Sequence, residues 1–142
     1  MVKQLSVFIQ NRAGKIASIV KALANAKVDI RAISIADTAD FGILRMLVND
    51  IEVAKSTLSD LNCILSVNEV AVIAVPDVPG GVSGMLEYMA GEGIDIEYMY
   101  SLIRRDTDKA CMVIRTSDES KLKDVLENSN LETVSATKLG IR

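Results

Sequence analysis

Leu5, Val7 and Ile9 alternate with Ser6 and Phe8 at the head of the chain, the two-residue period of a half-buried strand. A polar turn ending in glycine follows, and the period then changes. Ile16, Val20 and Leu23, with Val28 beyond them, recur at three- and four-residue spacing. That spacing predicts a helix over 14–26 with this stripe against a core. A turn over 27–29 leads into a strand over 30–36. The polar stretch Asp37-Thr38-Ala39-Asp40 separates it from a strand over 43–48, so the two read as a hairpin. A second helix is expected from about Asp50, carrying Val53, Thr57, Leu58 and Leu61. A strand over 64–71 closes the set.

The same order then returns. Sliding the chain by 66 residues places Gly14 on Gly80, Asn11 on Asp77, Ala13 on Pro79, Asp29-Ile30 on Asp95-Ile96 and Met46 on Met112. The second copy offers a strand through Ala71, Ile73 and Val75, then a helix over 80–91 with Val82, Leu86 and Met89 inward. Gly93 is a natural terminator for that helix. A hairpin over 96–103 and 110–115 follows. Asp118-Glu119-Ser120 supplies a cap and an acidic first turn for a helix carrying Leu122, Val125 and Leu126, and a strand over 131–139 ends the copy. The expected fold is α+β: a ferredoxin-like βαββαβ sandwich repeated in tandem, with modules over 1–69 and 70–142. The stretch 67–75 carries almost no turn signal, so the last strand of one copy should run directly into the first strand of the next, coupling the copies without a flexible linker.

Composition narrows the function classes. The net charge is −3 and no long basic run exists, which argues against a nucleic-acid partner. No run of 18 apolar residues and no signal-peptide core is present, so no membrane association and a cytoplasmic location are expected. Cys63 and Cys111 form no CxxC pair and no metal-ligand spacing, and Cys111 reads as a buried thiol. Neither a metal nor a cofactor is expected. The chain has no histidine, which removes the commonest general base near neutral pH, and no other catalytic cluster stands out. The chain reads as a non-enzyme with no catalytic residues.

The candidate chemistry lies in the two glycine turns, Asn11-Arg12-Ala13-Gly14-Lys15-Ile16 and Asp77-Val78-Pro79-Gly80-Gly81-Val82. Each sits after a strand and before a helix, where unpaired backbone N–H groups and the helix dipole can hold a carboxylate. The competing reading is a helix cap made by Asn11 or Asp77. Tyr98 and Tyr100 share a strand face and either line a pocket or stabilise an interface.

The turn, the helix and the Asp-Ile strand start together resemble the ACT domain family, whose opening pattern is Asp/Asn-Arg-Pro-Gly, a helix, then Gly-Ile-Asn/Asp-Ile. The second copy, with Asp77-Val78-Pro79-Gly80 and Gly93-Ile94-Asp95-Ile96, is the better match; the first departs at Ala13, Lys27 and Val28. The resemblance implies a stand-alone tandem ACT protein that binds an amino acid or related metabolite at an interface between modules. It implicates Asn11, Ala13, Gly14, Lys15, Ile16, Asp29 and Ile30 in the first copy. In the second it implicates Asp77, Pro79, Gly80, Gly81, Val82, Asp95 and Ile96. Asp29, Asp77 or Asp95 would meet a ligand ammonium, or serve only as turn residues. A homodimer and a regulated enzyme partner are further expectations. The alternative is a structural or protein-interaction module whose glycine turns are only caps.

Overall fold

The computed structural model describes all residues except 11, 38, 39, 103, 105 and 106. The order of elements is β1 (Val2–Gln10), α1 (Lys15–Asn25), β2 (Ile30–Asp37), β3 (Phe41–Val48), α2 (Ile51–Asp60), β4 (Ile64–Pro76), α3 (Gly81–Gly91), β5 (Ile96–Leu102), β6 (Lys109–Thr116), α4 (Glu119–Glu127) and β7 (Glu132–Thr133). This is βαββαβ twice, with β4 serving as the last strand of one copy and the first of the next. The expected absence of a turn there is realised as one 13-residue strand. No helix among the described residues is long and apolar enough to cross a membrane.

The chain forms two compact units. The first contains Lys3–Asn68 with Ala136–Arg142, and the second contains Met1–Val2 with Glu69–Ser135. In the first, β3 lies antiparallel between β1 and β2, with Leu5 opposite Met46 and Ile35 opposite Leu44. Its core joins Leu5, Val7 and Ile9 to Ile19, Leu23, Leu44, Met46, Ala54 and Leu58. In the second, β4 lies antiparallel between β6 and β7, and β6 also pairs with β5. Ala71, Ile73 and Val75 meet Met85, Met89, Ile114 and Leu122 in its core. In both units the period-2 positions of the strands face the period-3.6 stripe of the helices, which is why two helices suffice to cover one sheet face.

Three expectations are corrected. On α1 the buried stripe is Ile19 and Leu23, with Ile16 packed beside them; Val20 stands off it. On α2 the buried residues are Ile51, Ala54 and Leu58, while Val53 and Leu61 are 40% and 48% exposed. The Asp50 cap fixes where α2 begins, and at about 100° per residue Val53 then lies some 200° round from Ile51. The strand expected over 131–139 shrinks to Glu132–Thr133. The chain then turns through a 3₁₀ segment, Thr137–Leu139, whose following amides bond the carbonyls of Ala136 and Thr137. That segment buries Leu139 and Ile141, and the Arg142 N–H donates to the Asn49 carbonyl in the first unit. The Ile103 end of the second-copy hairpin lies outside the described residues. Cys63 and Cys111 are both free thiols.

The four helices start in two ways. Asp50 accepts a hydrogen bond from the Val53 N–H at 3.2 Å, and Asp118 accepts from the Lys121 N–H at 2.9 Å. Both are side-chain caps on the second helix of their copy. The first helices, α1 and α3, are entered through Gly14 and Gly80 and, among the described residues, have no side-chain cap bond. Asp50→Ala and Asp118→Ala should therefore each lower stability by about 1 kcal/mol, read as a reduced urea midpoint at unchanged slope.

Candidate functional site

The two glycine turns have one construction. Gly14 and Gly80 hold φ of 83° and 89° with ψ near zero. The Lys15 N–H closes back on the Arg12 carbonyl at 3.3 Å, and the Gly81 N–H on the Val78 carbonyl at 3.0 Å. These are type II β-turns, which require positive φ at the third residue and favour proline at the second. Gly80 and Pro79 are thus explained by the turn itself, with Ala13 in the place of Pro79. Neither Gly14 nor Gly80 would crowd a neighbour with a Cβ, so their need for glycine is one of backbone conformation alone. Gly81 is different: a Cβ there would lie 2.0 Å from the Pro76 carbonyl oxygen. Its lack of a side chain admits the chain's own backbone.

Among the described residues, no side chain caps the starts of α1 and α3. The first α3 bond runs from the Gly84 N–H to the Gly80 carbonyl, and the first α1 bond from Ser18 to Gly14. The amides of Val82 and Ser83, and those of Ile16 and Ala17, lie upstream of these bonds, at the positive end of the helix. Asp77, the residue expected to cap, is exposed in the turn; the cap position belongs to Gly80. Asn11, the other expected cap, lies outside the described residues. Ala13, Gly14, Pro79 and Gly80 are exposed, and Lys15 and Gly81 are half-buried.

The remaining expected site residues are placed elsewhere. Ile16, Ile30, Val82 and Ile96 pack against the two cores. Asp29 and Asp95 follow the far ends of α1 and α3. Eleven residues of helix put about 16 Å between those ends and the glycine turns. An amino acid cannot bridge that span, so within a copy the turn and the Asp-Ile pair do not form one site. The two aspartates also differ. Asp29 lies 2.8 Å from the Arg31 guanidinium, and its own N–H donates to Asn49 Oδ1 at 2.8 Å. Position 97 repeats Arg31 as glutamate. Glu97 lies 3.8 Å from Arg115, which also pairs with Glu119 and donates to the Glu69 carbonyl at 3.2 Å. Asp95 borders a shallow hollow of about 200 Å³ with Thr116, Ser117, Asp118 and Lys121, whose ammonium donates to the Gly93 carbonyl. Tyr98 and Tyr100 flank Met99, which packs on the core. Strand alternation therefore turns both tyrosines to the sheet face away from α3, and they do not line the glycine turn.

What does line it was missed in the sequence. A groove of about 390 Å³ in the second unit is bounded by the end of β4, by Gly80, Gly81, Gly84 and Met85 at the start of α3, by Lys109 and by residues 130–132. Lys109 and Glu132 form an ion pair on its rim. The hydrogen bond to Glu132 and its charge hold the Lys109 ammonium above the ordinary lysine range, so it is charged at neutral pH. Lys109 and Glu132 lie 23 positions apart and carry no motif; only the strand register, with Pro76 opposite Lys109 and Ala74 opposite Glu132, brings them together. Among the described residues no group of His, Cys, Asp and Glu is arranged to hold a metal ion.

The family model of the ACT domain pair matches residues 1–141, and the chain belongs to that family. Protein BT0572 from Bacteroides thetaiotaomicron has a crystal structure that is similar at 35% identity, with a TM-score of 0.89 over 98% of this chain and 95% of that one. The ligand-free regulatory subunit of aspartate kinase from Thermus thermophilus shares the fold at 18% identity, with a TM-score of 0.61 over 88% of this chain and 91% of its own. Aspartokinase α and β subunits do so at 14% identity and a TM-score of 0.57, over 89% and 95% of the two chains. No curated protein matches the sequence.

Gly81 and Gly84, at the start of α3, should respond differently to alanine. Gly81→Ala forces a backbone shift at Pro76 and should cost about 2 kcal/mol. Gly84→Ala meets nothing within 4 Å and should gain about 0.5–1 kcal/mol of helix stability. Chemical denaturation of both variants checks the order.

Proposed function

We propose that this ACT domain pair is a non-catalytic sensor of an amino acid or related small carboxylate, and that the second glycine turn is its anion-binding end. The observation that carries the reading is the contrast among the four helix starts. Asp50 and Asp118 cap α2 and α4, whereas α1 and α3 begin through glycine with no side-chain cap among the described residues. A carboxylate held by the Val82 and Ser83 amides would meet unsatisfied donors and the helix dipole together. The open space above Gly80 and the groove beside it leave room for the rest of the molecule. In the first copy Lys15 and Ser18 stand where the second has Gly81 and Gly84, so side chains crowd the turn that the second copy leaves bare. The second copy is therefore the primary site.

Family membership supports a regulatory role, and the fold shared with an aspartate kinase regulatory subunit fits action on an enzyme partner. A homodimer completes the proposal. β2 pairs with β3 along one side only, and its Ile33 and Ile35 are 45% and 49% exposed. An apolar, unprotected edge of this kind favours pairing with a second copy. A ligand that binds one packing arrangement better than another would shift the population between them.

Thermal unfolding of the full chain against each of the twenty amino acids tests the reading. At a concentration 100-fold above its Kd, a specific ligand stabilises by about 2.7 kcal/mol, which should raise the midpoint by on the order of 5–10 °C. Val82→Pro deletes one first-turn donor, and Gly81 before it lacks the Cβ that proline would clash with. That variant should fold and lose the ligand response. No midpoint rise with any amino acid would remove the sensor reading. A full response in Val82→Pro would remove the turn as its anion end.

A further inference from the structure

We infer that the groove beside Gly84 selects the ligand, and that it takes a zwitterionic amino acid with an aliphatic or thioether side chain. The inference rests on the amino-acid reading above and adds the ligand class and the residues that set it.

The rim of the groove carries one positive and one negative side chain. Lys109 and Glu132 form an ion pair whose side chains remain 43% and 48% exposed. An exposed pair of this kind adds little to stability, so a ligand that replaces it loses little. An amino-acid backbone carries the same two charges in complementary places. Its ammonium meets Glu132, and its carboxylate meets Lys109 and the nearby start of α3. With both charged groups engaged by the ligand backbone, Val75 and Met85 form a buried apolar floor and Leu131 an apolar wall. A charged ligand side chain would be desolvated there with no countercharge left for it.

Gly84 sets the room available. It lies four residues beyond Gly80 on α3, one turn along the same face. A Cβ at this position meets nothing within 4 Å, so the backbone is bare toward the groove. In the first copy the same position is Ser18, whose hydroxyl donates to the Lys15 carbonyl at 2.7 Å. A side chain occupies there the space that the second copy leaves open.

Isothermal titration of the full chain with the twenty amino acids, leucine, methionine, glycine, aspartate and lysine being compared in each variant, tests this. The wild-type chain should bind leucine and methionine at least about tenfold more tightly than aspartate or lysine. Gly84→Leu favours the helix and should leave ligand-free unfolding unchanged or raised. It should cut leucine affinity at least about tenfold more than glycine affinity. Glu132→Gln should weaken leucine but not 4-methylpentanoate, which has no ammonium and no longer competes with the Glu132 carboxylate for Lys109. Amino-acid binding that prefers aspartate or lysine, or that Gly84→Leu leaves in the same rank order, overturns the inference and leaves the anion end at Gly80 standing. Absence of binding by all twenty amino acids overturns the sensor reading itself.

Discussion

Each copy of the repeat must turn a buried strand into a helix that packs back on the same sheet face, and it must do so within about four residues. A type II turn with glycine at positive φ achieves this at Gly14 and Gly80. The rest of the unit depends on it. The turn sets the phase of α1 and α3, which decides that Ile19 and Leu23, or Met85 and Met89, reach the core. The same turn places glycine where an Asp, Ser or Thr would otherwise cap the helix. The start of α3 is thereby left without a side-chain acceptor, and the functional reading follows from that geometric necessity.

The two copies solve the same fold with different chemistry. At the helix start, Lys15 and Ser18 in the first copy become Gly81 and Gly84 in the second. Gly81 accommodates the Pro76 carbonyl, and Gly84 opens a groove. At the far end, the Asp29–Arg31 pair becomes Asp95 and Glu97, and the arginine that answers Glu97 comes from β6. Lys27 holds a left-handed φ of 60°, where the second copy has Gly93 at 72°. The first copy therefore carries more side-chain bonds in its turns, and the second carries more bare backbone. Bare backbone around a groove suits binding, while side-chain bonds suit support.

Most of the fold was legible because it rests on local periodicity. Leu5, Val7 and Ile9 announce a strand, the repeat at 66 residues doubles every inference, and Asp118-Glu119 marks a helix start. The helix phases were harder, since Ile19 and Val20 are adjacent and both fit a period of 3.6. The Thr137–Leu139 turn was not legible, because Val134, Leu139 and Ile141 are buried by long-range packing that no local pattern records. The site was legible only in its backbone part. The glycine turns stand out in the sequence, but Lys109 and Glu132 meet through strand register, and Gly84 looks like an ordinary helix glycine until its surroundings are known. The family pattern grouped Asp95 with the turn, and a shared strand face offered Tyr98 and Tyr100 to a pocket or an interface, whereas α3 and the alternation of β5 carry all three away from the turn.

Backbone amide shifts of the ¹⁵N-labelled chain, recorded while leucine is titrated in, address the central claim most directly. The account predicts saturable shifts at Gly81, Val82 and Ser83, with smaller or later changes at Ile16 and Ala17. Saturable shifts confined to residues remote from the start of α3, or present at Ile16 and Ala17 alone, would contradict it.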